Sequence, residues 1–211
     1  MTKNNKNLKE FLEYLRNLFP TPECELDYKT PFQLLVATIL SAQCTDKQVN
    51  KTTPKLFEKY KDAESMSKAD LKDIESLIKS IGLYKSKAKN ILSASIDITN
   101  KFNGNVPDNM EDLVTLAGVG RKTANVVLGN AFNVPGMVVD THVKRISNRF
   151  GMTKNSDPEK IEQDLMKLIP KNEWTDFSHR LVLFGRRVCD ARKPKCNECG
   201  VSSICPSSLK S

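Results

Sequence analysis

Four cysteines near the C-terminus constrain the folding of this chain more than any other feature. Cys189, Cys196, Cys199 and Cys205 follow the spacing C-x6-C-x2-C-x5-C and fall within 17 residues. The N-terminal segment has no apolar stretch of signal-peptide length, and the longest apolar run, residues 34–40, is too short to span a bilayer. We therefore expect a cytoplasmic protein, in which such a cluster indicates metal or redox chemistry rather than disulfides.

The irregular spacing of these cysteines predicts the kind of group they bind. Structural zinc sites usually pair two short knuckles, whereas only Cys196 and Cys199 form a C-x2-C pair here. The longer spacings suit a loop wrapped around an object larger than one ion, and four thiolates hold a [4Fe–4S] cluster. The pattern favours that cluster, with a zinc ion and unliganded thiols as the alternatives. Cys24 and Cys44 have no partner pattern and are expected to be small buried hydrophobes.

The hydrophobic pattern is helical almost throughout the chain. Apolar residues at three- and four-residue steps predict an amphipathic first helix over residues 8–19. Residues 32–42 are apolar nearly all round, which predicts a central buried helix. No period-2 segment is longer than the region of residues 138–139. The predicted fold class is all-α, with about ten short helices.

Capping signals locate several of the predicted helix starts. Pro54 predicts that the helix opened by Asp46 restarts at that point. Ser67 begins a sequence that resembles a capping box for a helix over residues 71–79, and Ser86 predicts the N-cap of a long helix ending at residue 102. Asp140 predicts the N-cap of a helix that ends at residue 149.

A glycine-rich turn, Leu-Ala-Gly-Val-Gly at residues 116–120, lies between two predicted helices. Gly118 and Gly120 permit backbone conformations that other residues avoid, and they bare N–H groups at the positive end of the next helix. The side chain of Val119 is expected to pack into the core between the two helices. The turn predicts a helix–hairpin–helix motif that clamps a DNA phosphate without reading sequence. The alternative is an ordinary turn with a glycine C-cap.

The charge distribution agrees with a polyanionic partner. The formal net charge is +8, residues 142–156 contain no acid, and residues 180–195 carry six basic side chains against Asp190 alone. Contacts between such side chains and phosphates give salt-dependent affinity. We expect about half of these basic residues to lie on solvated helix faces instead.

Two residues are candidates for catalysis. Lys122 follows the glycine turn, where a neutral amine can attack a sugar C1′ and form a Schiff base. Its alternative role is to pair with a phosphate. Asp140 emerges from an apolar run, where its carboxylate can take the lysine proton and offset positive charge on the sugar. Its alternative role is to cap a helix and nothing more.

These segments together resemble the endonuclease III family, the bifunctional DNA glycosylases of the helix–hairpin–helix superfamily. The resemblance rests on Leu-Ser-Ala-Gln at 40–43, Ile-Gly-Leu-Tyr at 81–84, the hairpin through residue 127, Val-Asp-Thr-His at 139–142 and the full cysteine spacing. It extends from about residue 8 to Cys205 and covers nearly the whole chain.

The resemblance implies two α-helical lobes with a DNA cleft between them. One lobe is a six-helix domain over residues 24–134 that carries the hairpin. The other is discontinuous, joins residues 1–23 to 135–211, and holds the [4Fe–4S] cluster in the loop 189–205. The helices supply no surplus apolar face, so a monomer is expected.

The resemblance also implies an activity and the residues that perform it. Family members excise oxidised or ring-saturated pyrimidines from duplex DNA and cut the strand at abasic sites by β-elimination. Lys122 corresponds to the nucleophile, and Asp140 to the residue that assists it. Gln43 matches the position that fills the gap left by the flipped nucleotide, and Leu83 the position that wedges the opposite strand. Gly118, Val119 and Gly120 form the DNA-binding hairpin. A capping amide and a core leucine are the plain alternatives for Gln43 and Leu83.

Two other functions remain open at this point. One is a redox-responsive regulator that binds DNA through the same hairpin without catalysis, and the other is a glycosylase that activates water through Asp140 alone. Adenine excision is disfavoured, because residues 32–43 contain no acid and Lys122 is present.

Overall fold

The computed structural model describes residues 3–208 and is helical throughout, with no strand in that range. The predicted all-α class is confirmed. Within residues 3–208, none of the helices combines the length and apolar character that crossing a membrane requires. The α-helices are α1 Lys3–Leu18, α2 Pro31–Ser41, α3 Asp46–Lys59, α4 Ala63–Ser67, α5 Leu71–Leu77, α6 Tyr84–Lys101, α7 Met110–Leu113, α8 Arg121–Ala131, α9 Thr141–Arg149, α10 Pro158–Leu168 and α11 Trp174–Arg187, and short 3-10 turns lie at Lys171–Glu173 and Cys196–Glu198.

The chain divides into two compact units, each with a hydrophobic core of its own. Cys24–Val134 forms one, called here the hairpin unit, and Met1–Glu23 with Pro135–Ser211 forms the other, the cysteine unit. The hairpin unit contains α2 to α8, seven helices when the four-residue α7 is counted, where the resemblance implies six.

The core of the hairpin unit is built around α2 and α6. Leu34, Leu35 and Leu40 of α2 are fully buried, as the apolar sequence of this helix predicts. Ile91 and Ile98 of α6 are buried in the same core. Thr30 caps the start of α2 by accepting a hydrogen bond from the amide of residue 33 at 3.2 Å. The helix that ends before Gln43 and the helix that begins after Leu83 are therefore both anchored in the core.

The core of the cysteine unit joins the N-terminal helix to the C-terminal segment. Phe11 of α1 is fully buried and stacks on Phe150 with ring centroids 4.0 Å apart. Its ring also meets the edge of Phe184 at 5.7 Å. Arg180 of α11 is itself buried and donates a hydrogen bond to the carbonyl of Phe19 at 3.0 Å. These contacts hold α1 against the rest of the unit.

The helix starts predicted at Pro54 and Ser86 are wrong, and so is the capping box predicted at Ser67, although α5 begins at residue 71 as predicted. Pro54 lies inside an uninterrupted α3, because the buried Thr53 and Leu56 hold the helix against the core and outweigh the lost backbone hydrogen bond. Ser67 ends α4, and the N-cap of α5 is Asp70. Ser86 lies inside α6, which begins at Tyr84 after an N-cap residue, Leu83, that makes no side-chain cap.

Two isoleucines of α6 provide a test of this core. We expect Ile91→Ala to lower the free energy of unfolding by about 2–5 kcal/mol, because it leaves a cavity where the side chain is fully buried. The matched change Ile96→Ala, at a residue that is 40% exposed, is expected to cost about 1 kcal/mol. Urea denaturation of both variants measures the difference, and equal losses would contradict the assigned packing.

Candidate functional site

The glycine turn forms a hairpin whose geometry requires glycine at position 118. Gly118 has φ +78°, and a Cβ built there would lie 2.9 Å from Cβ of Asn90 on α6. Val119 is 6% exposed and belongs to the core, as predicted. Gly120 precedes α8 without a side-chain cap. The first amides of α8 therefore have no capping side chain and form a potential anion site.

Lys122 is the second residue of α8 and directly follows this hairpin. Its side chain is exposed, and within residues 3–208 no acid or carbonyl oxygen holds its amine. The chain thus presents an unpaired primary amine beside a predicted phosphate clamp. This placement is compatible with both roles considered for Lys122, the nucleophile and the phosphate partner.

Gln43 and Leu83 share an unusual backbone conformation. Gln43 has φ +54° and Leu83 has φ +60°, in the left-handed region that residues with a branched or bulky side chain seldom adopt. Both side chains are exposed, and Leu83 is 63% exposed although it is a large hydrophobe. The core-leucine alternative for Leu83 is therefore wrong. A strained backbone that presents an apolar side chain to solvent is typical of a functional contact.

Asp140 belongs to the cysteine unit and is the N-cap of α9. Its Oδ1 accepts hydrogen bonds from the amides of His142 and Val143, both at 2.8 Å. Oδ2 accepts no hydrogen bond from the part of the chain that the structure describes. Capping thus fixes the carboxylate with one oxygen and leaves the other available for chemistry.

The four C-terminal cysteines line a single pocket of the cysteine unit. Burial raises the pKa of the Cys199 and Cys205 thiols, and the charges of neighbouring cysteines raise it further. Among residues 3–208, however, no three His, Cys, Asp or Glu side chains are arranged to hold a single metal ion. The four cysteine sulfurs that line the pocket form a donor set whose chemistry fits a thiolate-bound metal or iron–sulfur group.

Two arginines of α9 hold the backbone of the cysteine loop. Arg149 donates to the Cys189 sulfur at 3.3 Å and to the carbonyls of Asp190 and Ala191, both at 2.7 Å. Arg145 donates to the carbonyls of Gly185 at 2.9 Å and Cys189 at 3.0 Å. The sequence expectation placed residues 142–156 against a polyanion or solvent, and it is wrong for both arginines, because carbonyl oxygens inside the unit accept their hydrogen bonds.

Lys87 is a buried lysine of α6 that no sequence motif singles out. The residue is 5% exposed, and its Nζ donates to the carbonyl of Leu40 at 2.9 Å and to that of Ala42 at 2.6 Å. Burial lowers the pKa of its amine. Lys85 and Lys89 on the same helix are exposed, and no sequence pattern separates Lys87 from them.

Comparison with known proteins identifies relatives along the whole chain. Residues 36–171 match the profile described as "HhH-GPD superfamily base excision DNA repair protein". The endonuclease III of Synechocystis sp. is 53% identical over 100% of this chain and 97% of its own length. Two solved structures, a non-covalent endonuclease III–DNA complex and a trapped endonuclease III–DNA covalent intermediate, are each 44% identical with a TM-score of 0.93, over 99% of this chain and 97% of theirs.

The short distance between Gly118 and Asn90 predicts that a larger residue at position 118 destabilises the protein. Gly118→Ala forces a Cβ against Asn90 at a positive φ, and we expect it to cost about 1–3 kcal/mol of unfolding free energy. Gly82→Ala is the control, because nothing lies within 4 Å of its Cβ, and it is expected to change stability by about 0.5 kcal/mol or less. Urea denaturation measures both, and a Gly118→Ala variant as stable as the control would refute the required glycine.

Proposed function

The chain belongs to the endonuclease III family of base excision repair enzymes, DNA glycosylases with AP lyase activity, and we propose that it removes oxidised or ring-saturated pyrimidines from duplex DNA through a Schiff base on Lys122. The observation that carries this proposal is the exposed, unpaired amine of Lys122 directly behind the hairpin. A protein 44% identical to this chain has been solved as a trapped covalent intermediate with DNA, which favours the nucleophile over the phosphate partner as the role of Lys122.

The proposed reaction forms one bond to Lys122 as another is broken. The Lys122 nitrogen bonds to C1′ while the bond from C1′ to the damaged base breaks, and the base leaves with the bonding electrons. Asp140 would accept the proton that the lysine nitrogen must lose, and its free oxygen would offset positive charge on the sugar. The sugar ring then opens at the C1′–O4′ bond, O4′ takes a proton, and the nitrogen lone pair forms an iminium at C1′. This iminium allows a C2′ proton to leave and the C3′–O bond to break, which cuts the strand by β-elimination.

The remaining candidate residues are proposed to bind and distort the duplex. Gly118, Val119 and Gly120 would present backbone N–H groups to a phosphate. Gln43 would fill the gap left by the flipped nucleotide and Leu83 would wedge the opposite strand, which offsets part of the cost of extruding a base. The exposure of both side chains on strained loops supports this assignment.

The four cysteines of the pocket, Cys189, Cys196, Cys199 and Cys205, are proposed to hold a [4Fe–4S] cluster. When bound, the cluster would act as a structural cross-link of the C-terminal loop and would present nearby basic residues to DNA, without taking part in base release. Arg149 supports the ligand set from outside by donating to the sulfur of Cys189. We propose a cytoplasmic location, where reducing conditions would keep these four thiols from forming disulfides.

The two units are proposed to be the two domains of the family. The hairpin unit would correspond to the predicted domain 24–134, and the cysteine unit to the discontinuous iron–sulfur domain of residues 1–23 and 135–211. We propose that the protein acts as a monomer on duplex DNA that carries damaged pyrimidines or abasic sites.

Substitution of Lys122 tests the proposed nucleophile. Lys122→Gln is expected to lower both base release and strand cleavage roughly a thousand-fold or more, because the attacking amine is gone. The control is Lys72→Gln, which removes the same charge from another exposed lysine at the second position of a helix, α5. Both rates of this variant are expected to stay within about twofold of the wild-type rates.

A duplex with one thymine glycol, resolved on a denaturing gel, reports both steps. If Lys122→Gln releases the base at the wild-type rate, the enzyme activates water through Asp140 and the proposed mechanism is wrong. If the wild-type protein binds the duplex but releases no base, the regulator is the better description.

Substitution of one cysteine tests the proposed cluster. Cys199→Ala removes one of four ligands, and we expect loss of bound iron, loss of visible absorption and a fall in stability of about 2 kcal/mol or more. Cys24→Ala is the control, because Cys24 is partly buried against the core of the other unit, and the iron content of this variant is expected to be unchanged. Metal analysis of both purified variants checks this. Zinc in place of iron in the wild type, or unchanged iron in Cys199→Ala, would contradict the assignment.

A further inference from the structure

Lys87 is a buried cation that the proposed chemistry does not use. Its position in α6 is 5% exposed, and a lysine seldom occurs at such a position without a specific partner. Both partners are backbone carbonyls, those of Leu40 and Ala42. An apolar side chain would fill the same space without the cost of burying a charge, so the contact with the two carbonyls is what the lysine adds.

The carbonyls that Lys87 binds belong to the end of α2, immediately before Gln43. The last carbonyls of a helix have no partner within the helix and form its negative end, which an ammonium group satisfies. Leu40 lies in the final turn of α2, and Ala42 is its C-cap. Gln43 follows with its strained backbone, a conformation that persists only where neighbouring contacts fix it. Lys87 supplies two such contacts on the N-terminal side of Gln43.

The same lysine lies one helical turn beyond Leu83. The amide of Lys87 donates to the carbonyl of Leu83 at 3.1 Å, which forms the first backbone hydrogen bond of α6. Asn90, a further turn along, packs against Gly118 of the hairpin. Residues spaced by three and four positions lie on one face of a helix. One face of α6 thus connects Leu83, residues 41–45, which are called here the Gln43 loop, and the hairpin at residues 116–120.

We propose that Lys87 is a positioning residue that holds the Gln43 loop in register with Leu83, so that both side chains enter the duplex together when the damaged nucleotide is extruded. The inference rests on the proposed roles of Gln43 and Leu83. It assigns to Lys87 no contact with the reacting atoms. Loss of its ammonium should therefore impair extrusion of a paired base much more than reaction at a sugar that has already lost its base.

Two substrates separate positioning from a general structural role. Lys87→Met keeps the length of the side chain and removes its three donors. We expect single-turnover excision of thymine glycol paired with adenine to fall roughly tenfold or more, because the extrusion cost is no longer offset. Cleavage at a preformed abasic site, where no base must be unstacked, is expected to fall by less than about threefold. Lys89→Met, which removes an exposed charge from the same helix, is the matched control and should leave both rates unchanged.

A double-mutant cycle tests whether Lys87 acts through the Gln43 loop. If it does, Lys87→Met should add less than about twofold to the excision defect of Gln43→Ala, because Lys87→Met then disturbs a loop that already lacks the Gln43 side chain. Independent action would instead multiply the two defects. Hydrogen exchange of residues 41–45 should accelerate in Lys87→Met, while exchange of the hairpin, residues 116–120, stays as in the wild type.

The outcomes distinguish this inference from the proposed function. Equal loss of both activities, unchanged activities, or multiplicative defects would overturn the inference while the roles of Gln43 and Leu83 stand. If Gln43→Ala excises the paired lesion at the wild-type rate, the gap-filling role fails, and the inference fails with it. If Lys87→Met does not fold, Lys87→Gln, which keeps an amide donor, replaces it in the same assays and is expected to show the same selectivity with a smaller loss.

Discussion

Backbone carbonyl oxygens without partners determine where several basic side chains of this protein lie. A buried carbonyl that loses water needs a hydrogen-bond donor, and helix ends and irregular loops supply few donors of their own. Lys87 fills that need at the end of α2, Arg149 in the cysteine loop, and Arg180 after α1. Each of these cations fixes a segment next to a candidate functional residue or to the core that supports it.

Because of these internal contacts, part of the net positive charge is not available for binding a polyanion. A formal charge of +8 suggests a surface for a polyanion, yet part of it is used inside the two units. Arg145, Arg149 and Arg180 are committed to intrachain carbonyls, whereas Lys122 is exposed and unpaired. Affinity for phosphates therefore depends on the remaining exposed lysines and arginines and on the hairpin amides. The internal cations contribute by keeping the loops rigid.

Much of the fold could be predicted from residue patterns that act locally. Asp140 caps α9 as its position in the sequence predicts, and the apolar stretch of α2 is buried. Local signals failed where tertiary contacts decide the outcome. Pro54 continues a helix because the helix is packed on the core, and α6 begins before Ser86, after a strained residue that no propensity scale would place there.

The candidate site shows the same division. Several parts of the site are short motifs that can be recognised from the sequence alone. They are the hairpin followed by Lys122, the segment that contains Asp140, and the spacing of the four cysteines. The left-handed backbones of Gln43 and Leu83 and the burial of Lys87 could not be predicted, because they depend on contacts between α6 and the end of α2, which are far apart in sequence. The candidate catalytic and binding side chains can be recognised from sequence motifs. The side chains that position them can be identified only from the structure.

The proposed activity depends most on the amine of Lys122. Sodium borohydride reduces an imine to a stable amine, so a Schiff base between the protein and DNA becomes a permanent cross-link. The wild-type protein, incubated with borohydride and a duplex that contains an abasic site, is expected to give a covalent protein–DNA band on a denaturing gel, and Lys122→Ala is expected to give none. A wild-type protein that binds the duplex without forming the band, or an undiminished band in Lys122→Ala, would contradict the central claim.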